Sequence, residues 1–265
     1  MKYRSKRLAI LGAAVLPLLF APAVFAQEGG GRPKPGPEPK DRAKPAPRLP
    51  DGHVDLNGKG VWAPIWVLDW ADTKYVDKAI DVPFTPEGLK IFNERKANLS
   101  KDDPEGFCLP PGVPRYTGTP YPFQILQMPD KVVILYEGAS HMYRTVYMDG
   151  RKHTPVDQLN PTWMGESIGH WEGDTLVVDT IGFNGKTWLD YVGHPTSENL
   201  HVVERYSRPD LMTLRYDATI DDKTMYTKPW TTTFFVKFKP GWDLLEYVCL
   251  ENNKDLGHIG ATTPK

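Results

Sequence analysis

Residues 200–241 read LHVVERYSRPDLMTLRYDATIDDKTMYTKPWTTTFFVKFKPG, and three runs stand out in them: Leu200–Tyr206, Met212–Ile220 and Thr231–Lys239. Each is rich in Val, Thr, Tyr or Phe and sets apolar residues at alternate positions, the period of a half-buried strand. Asp221-Asp222 and Pro240-Gly241 supply turn residues after the second and third runs. Similar runs lie upstream at Phe123–Met128, Lys131–Glu137, Met142–Met148, Ser167–Trp171 and Thr175–Thr180, and downstream at Leu244–Leu250. Pro129-Asp130, Asp149-Gly150 and Gly173-Asp174 separate several of them at hairpin spacing. Such spacing predicts an antiparallel meander, because parallel strands need long crossovers.

One helix is predicted. Thr85 is an N-cap with Pro86 at the first helical position, and Leu89, Ile91, Phe92 and Leu99 form an apolar stripe, so the helix covers Pro86–Leu99. Nine strand-like runs with one N-terminal helix define a mainly β fold. The expected architecture is a meander closed into a lipocalin-like or related β-barrel, and a β-sandwich is the alternative. Glu204 between Val202 and Tyr206, and Glu246 between Leu244 and Val248, favour the barrel, whose interior can hold polar groups around a small ligand.

The ends of the chain have a different composition. Lys2, Arg4, Lys6 and Arg7 precede the apolar run Leu8–Phe20, and small Val24 and Ala26 mark a cleavage site, so residues 1–26 read as a signal peptide. Pro17 and Pro22 interrupt this segment, and no other stretch approaches the roughly 20 apolar residues of a spanning helix, so no membrane span is expected. Residues 27–50 hold Gly29-Gly30-Gly31 and seven prolines among charged residues, the composition of a solvated linker. Residues 51–265 then form a single β-rich domain.

The whole chain has 32 Lys and Arg against 33 Asp and Glu. Without the four basic residues of the signal and the six basic and three acidic residues of the linker, the domain carries 22 against 30, a net charge of −8. An acidic domain does not suit the phosphate backbone of nucleic acid. Cys108 and Cys249 are the two cysteines of a chain read as exported, which predicts one disulfide and a periplasmic or secreted location.

Several segments resemble a known family. These are the residues 50–56 (PDGHVDL), 83–88 (PFTPEG), 108–115 (CLPPGVPR), 171–180 (WEGDTLVVDT) and 246–249 (EYVC). Together they are similar to the signature segments of a large family of exported bacterial proteins of undefined function. The resemblance covers most of the domain from Pro50 to about Asn252 and implies one exported domain; it carries no reaction.

Chemistry-bearing residues concentrate between His141 and Arg205. Asp190 and His194 lie four apart in a segment bounded by Gly193 and Pro195, so a carboxylate can orient an imidazole there, and Glu204 completes a candidate acid–base set. Trp163, Trp171, Trp188 and Trp230 near turn signals could stack a sugar-derived or other flat organic ligand, with Arg144, Arg205 and Lys228 available to hold an anionic group and His141 and His201 also lining the site. Some of His141, His153, His170, His194 and His201 could instead converge on a divalent transition metal, although no short ligand spacing supports it. Gly165-Glu166-Ser167-Ile168-Gly169 fits the bare Gly-x-Ser-x-Gly pattern, but a turn into a strand follows where a hydrolase elbow needs a helix; Ser197 has no motif. The expected function is binding of a small organic or sugar-derived ligand, either with His/carboxylate acid–base catalysis of hydrolase, lyase or isomerase type, or as a non-catalytic binding protein, or as a metal-dependent enzyme.

Overall fold

The computed structural model describes residues 44–138 and 142–251. The predicted signal peptide, most of the predicted linker and His141 lie outside the described residues. Nine strands form one closed barrel in chain order: β1 (Gly60–Ala63), β2 (Phe123–Gln127), β3 (Lys131–Tyr136), β4 (Tyr143–Tyr147), β5 (Glu166–Glu172), β6 (Thr175–Ile181), β7 (His201–Asp210), β8 (Thr213–Asp221) and β9 (Trp230–Pro240). The ring closes where β1 pairs antiparallel with β9, from Gly60 opposite Pro240 to Ala63 opposite Lys237. The helix α1 (Pro86–Ala97) lies in the β1–β2 connection, capped by the Thr85 hydroxyl, which accepts from the Gly88 N–H at 3.0 Å.

Alternation along each strand sorts side chains to the two faces. Val202, Glu204, Tyr206 and Arg208 of β7 and Leu214, Tyr216, Ala218 and Ile220 of β8 are buried, while their neighbours in sequence are partly or fully exposed. Phe123, Ile125, Ile134, Phe234 and Val236 add to the same interior, and Trp62 and Trp70 are fully buried with it. Filling the inside of a barrel with large side chains is what makes it a packed core.

The structure corrects the sequence reading at three points. β4 and β5 pair parallel, with Val146 opposite Ser167, so the meander is not wholly antiparallel. The cause is parity: nine strands alternating in direction would bring β1 and β9 together parallel, and an antiparallel closure requires one parallel pair elsewhere. Residues 148–165 supply the crossover. Leu244–Leu250 is not a strand. β1, which the sequence reading passed over, already occupies the free edge of β9. Glu246 consequently does not face a barrel interior. The tail runs instead along the β1–β2 and β3–β4 connections, where the Leu245 N–H donates to Glu137 at 2.9 Å and the Tyr247 and Tyr121 hydroxyls lie 2.9 Å apart.

The segment 44–50 also touches the barrel. Leu211 N–H donates to the Lys44 carbonyl at 2.9 Å, and the Arg48 guanidinium pairs with Asp174 at 2.7 Å.

The alternation of strand direction places the β1–β2, β6–β7 and β8–β9 connections at one end of the barrel. That mouth holds α1, the loop around Asp190 and the segment from Asp222 to Pro229. No helix among the described residues is long and apolar enough to cross a membrane. Cys108, in the β1–β2 connection, and Cys249, in the tail, form a disulfide across a separation of 141 residues, with Cα atoms 5.6 Å apart. Closing a loop of that length stabilises the fold by on the order of 5 kcal/mol in the chain-entropy model. Replacing both cysteines with alanine is expected to lower the unfolding free energy by up to that amount, read from the shift of the denaturant midpoint.

Candidate functional site

The loop between β6 and β7 contains the turn Asp190-Tyr191-Val192-Gly193-His194. Its carboxylate organises the turn: Asp190 Oδ1 accepts the backbone N–H groups of Gly193 at 3.0 Å and His194 at 3.1 Å. Oδ2 accepts the Trp70 N–H at 2.9 Å and faces His194 Nδ1 at 2.6 Å. Gly193 is required in this turn, because its φ is +101° and a Cβ there would lie 2.8 Å from Arg95 Cβ. Asp190 is fully buried and His194 is 2% exposed.

Helix α1 and the strand-like segment before it form the other side of the site. Phe84 and Phe92 stack on the His194 ring, with centroids 5.6 and 4.6 Å away, and the Trp230 ring is tilted against it at 6.0 Å. Phe84 is held by the β8–β9 connection: the Thr85 N–H donates to Met225 O at 2.9 Å, and the Thr227 N–H to Pro83 O at 2.7 Å. Gly88 lets the helix seat closely, since a Cβ at that position would lie 2.2 Å from the Met225 carbonyl oxygen. The result is an open groove of about 560 Å³ whose lining includes Ile80, Val82, Phe84, Leu89, Phe92 and His194, with Asp69 and Asp81 as its carboxylates. That volume suits a small ligand.

Burial works against an imidazolium at His194, but the charge and hydrogen bond of Asp190 and the charge of Asp69 outweigh it, so the pKa is raised above the ordinary histidine value. Burial likewise opposes ionisation of Asp190, and the His194 charge with the three backbone N–H groups reverses the effect, so its pKa is lowered.

Asp69, Asp190 and His194 each offer an atom within 4.8 Å of the others, a spacing open to a metal ion. The hydrogen bonds argue against that use. A carboxylate has about four acceptor positions, and Asp190 spends four on Gly193, His194 N–H, Trp70 and the imidazole. A cation would have to displace one of them. The arrangement instead fixes the imidazole's tautomer and orientation through Nδ1 and leaves Nε2 as the other polar atom of the ring.

The structure separates Glu204 from this pair. Its Oε2 meets Arg144 Nη2 at 2.5 Å, and its Oε1 accepts the Tyr206 and Tyr216 hydroxyls, both at 2.8 Å. Arg144 also donates to Ser167 Oγ at 2.9 Å and Thr180 Oγ1 at 2.6 Å. Glu204, Arg144 and Ser167 thus belong to one polar network inside the barrel, in which the buried Arg144 Nη1 has no hydrogen-bond partner. Ser167 lies within strand β5, with no helix after it, in keeping with the rejected elbow.

The remaining candidates are spread over the molecule. His201 and His153 both face Asp179, at 2.9 and 3.0 Å, and His153 also faces Glu166 at 3.0 Å, so a second histidine cluster lies on the outer face of β5, β6 and β7. Trp171 stacks on His53 at 4.6 Å. Arg205 and His170 pair with the exposed Glu172. Trp163 packs against the core, Lys228 is exposed, and Ser197 is bound to Asp222 at 2.8 Å. Of the tryptophans, Trp230 contacts His194, and Trp188 carries the Arg95 guanidinium 4.1 Å above its ring while Arg95 donates to Gly193 O at 3.2 Å. Desolvation lowers the Arg95 pKa to about 10.

The sequence reading missed Asp69, Phe84 and Phe92. It also missed the buried clamp in which Arg115 binds Asp103 at 2.6 Å and Glu105 at 2.7 Å, just ahead of Cys108. Asp69 precedes Trp70 in the chain, and Phe92 belongs to the noted helix stripe.

Two outcomes test this division. Arg144→Met leaves Glu204 buried without its cation and is expected to cost about 3–5 kcal/mol of stability by denaturant unfolding. For the Asp190–His194 pair, the raised imidazole pKa stabilises fully below the ordinary value of 6.5 and is lost as pH rises through the folded-state value. The lowered carboxylate pKa stabilises above the ordinary 3.8 and is lost as pH falls through its folded-state value. The stability difference between the wild type and His194→Asn is therefore expected to be greatest between about pH 4 and 6.5 and to shrink on both sides. No protein-family model, curated protein or solved structure matches the chain, so the functional reading rests on this geometry.

Proposed function

We propose that the protein is an exported barrel whose mouth binds a small organic ligand and acts on it by general acid–base chemistry. The observation that carries this reading is the buried Asp190–His194 pair, 2.6 Å apart, whose His194 lines an open groove of about 560 Å³. His194 Nε2 is the proton-transferring atom. Asp190 is a positioning residue: it holds Nδ1, fixes the ring and stabilises its charged form. Glu204 takes no part, because its oxygens are committed to Arg144, Tyr206 and Tyr216 inside the barrel. Phe84 and Phe92 keep water from the ring faces, which strengthens the Asp190 interaction. Export is supported by the basic-then-apolar N-terminal sequence and by the Cys108–Cys249 disulfide.

The apolar wall favours a second reading, a binding protein that returns its ligand unchanged. The two are separated by incubating the purified protein with panels of esters, lactones, glycosides and β-hydroxy carbonyl compounds and following products by mass spectrometry. Acid–base catalysis predicts turnover per folded molecule that falls by about 100-fold or more in His194→Gln, measured at a temperature where the less stable variant is still folded. It also predicts that turnover by the base form rises with pH through a value above the ordinary histidine range, and that Asp190→Asn moves this limb. Equal turnover in His194→Gln and the wild type would overturn the assignment, and binding without product would support the carrier reading.

A further inference from the structure

The outer wall of the barrel carries a second histidine cluster, separate from the mouth groove and independent of the acid–base reading. We propose that the 148–165 crossover is a pH-operated clasp: His153 fastens it to β5 and β6 while both ring nitrogens carry protons, and the crossover slackens when the ring gives one up.

The geometry at His153 calls for two protons. Its Nδ1 lies 3.0 Å from Glu166 Oε1, and its Nε2 lies 3.0 Å from Asp179 Oδ1. An ionised carboxylate only accepts, and a neutral imidazole has one N–H, so both contacts are hydrogen bonds only in the imidazolium. The neutral ring turns a lone pair toward one of the two carboxylates.

Both carboxylates are held in the ionised form. The hydrogen bond from His201 Nε2, 2.9 Å from the same Asp179 oxygen, outweighs desolvation and, with the bond from His153, sets Asp179 below the ordinary carboxylate value. Burial pushes Glu166 up, but the Thr154 hydroxyl and N–H, at 2.6 and 2.7 Å, together with His153 bring it below its ordinary value. The bond to Asp179 raises His201 above the ordinary histidine value of 6.5 against partial desolvation, with Asp221 of β8 adding to the rise. That contribution is full below pH 6.5 and is lost as pH rises through the folded-state value, the same sense as the clasp. On the crossover itself, Arg151 is paired with Asp149 and also attracts Glu166.

The position of the cluster gives it leverage. β4 and β5 pair only through Val146 with Ser167 and Tyr147 with Ile168, so the parallel seam of the ring is short. Among the described residues, the hydrogen bonds that tie residues 149–161 to the strands come from His153 and Thr154, and Thr154 reaches the same Glu166. Glu166 and His201 open their strands and Asp179 lies near the end of β6, so the clasp sits at the mouth end of the barrel.

Hydrogen exchange of the full protein, followed by mass spectrometry at pH 5.5 and pH 8 and corrected for the chemical exchange rate at each pH, tests the clasp. Peptides spanning residues 148–168 are expected to lose about tenfold in protection between the two pH values, the scale of one charge-assisted hydrogen bond, while peptides from β7 and β8 keep theirs. His153→Gln cannot carry the charge and is expected to show the lower protection at both pH values. His170→Gln removes a histidine paired with the exposed Glu172 outside the crossover and is expected to respond as the wild type does. Equal protection at the two pH values in the wild type, or a pH response kept by His153→Gln, would overturn the proposal. A second measurement needs no variant: the His153 ring-proton shifts are expected to titrate over the same interval as the loss of protection, and midpoints more than about one pH unit apart would overturn it as well.

Discussion

Everything in this structure is built around the closure of the ring by β1 and β9. An open sheet of nine twisted strands would expose two unpaired edges, and closure removes both. An odd number of strands makes that closure conditional on one parallel pair. The chain provides it with the 148–165 crossover, whose His153 is bound between Glu166 of β5 and Asp179 of β6. Closure also leaves the tail without a strand edge, which frees it to run to the mouth and carry Cys249 to Cys108.

The closed ring creates two polar environments with different uses. Inside it, Arg144 and Glu204 are nearly or fully buried and bound to each other and to Tyr206, Tyr216, Ser167 and Thr180, with Arg144 Nη1 left without a hydrogen-bond partner. Such a network is costly to desolvate and loses heavily if one partner is removed, so it acts as a constraint on side-chain placement more than as a reactive group. At the mouth, the Asp190–His194 pair is equally buried but has one open side, where the ring borders the cavity. The two pairs differ in what they border and not in how deeply they are buried.

Much of the barrel was legible because a strand buried on one face writes itself as alternation. Val202, Glu204 and Tyr206 read as inward from sequence, and they are. Alternation tells which face a residue takes but not its depth along the barrel axis, and so Glu204 was grouped with His194 although it belongs to the Arg144 network. β1 was hidden by its length of four residues, two of which are Gly60 and Ala63. The parallel pair could not be read locally, since it follows from the total strand count and the direction of closure. Asp190 and His194 were legible as an i, i+4 pair in a Gly/Pro-bounded loop. Asp69, Phe84 and Phe92 were not, because the β1–β2 connection that brings them to the β6–β7 loop is a tertiary arrangement with no spacing signal.

The pairing of β1 with β9 joins residues 180 positions apart, from Gly60 to Pro240, while the intervening hairpins pair neighbours in the chain. Hairpins of this kind can form early, since their loops cost little to close, whereas the seam has to wait for the last strand. Until then Trp62 on β1 and Tyr216 on β8 belong to a curved sheet with two open edges and an uncovered apolar face. A chain that stops before Trp230 would lack β9 and keep both edges available for pairing with other chains.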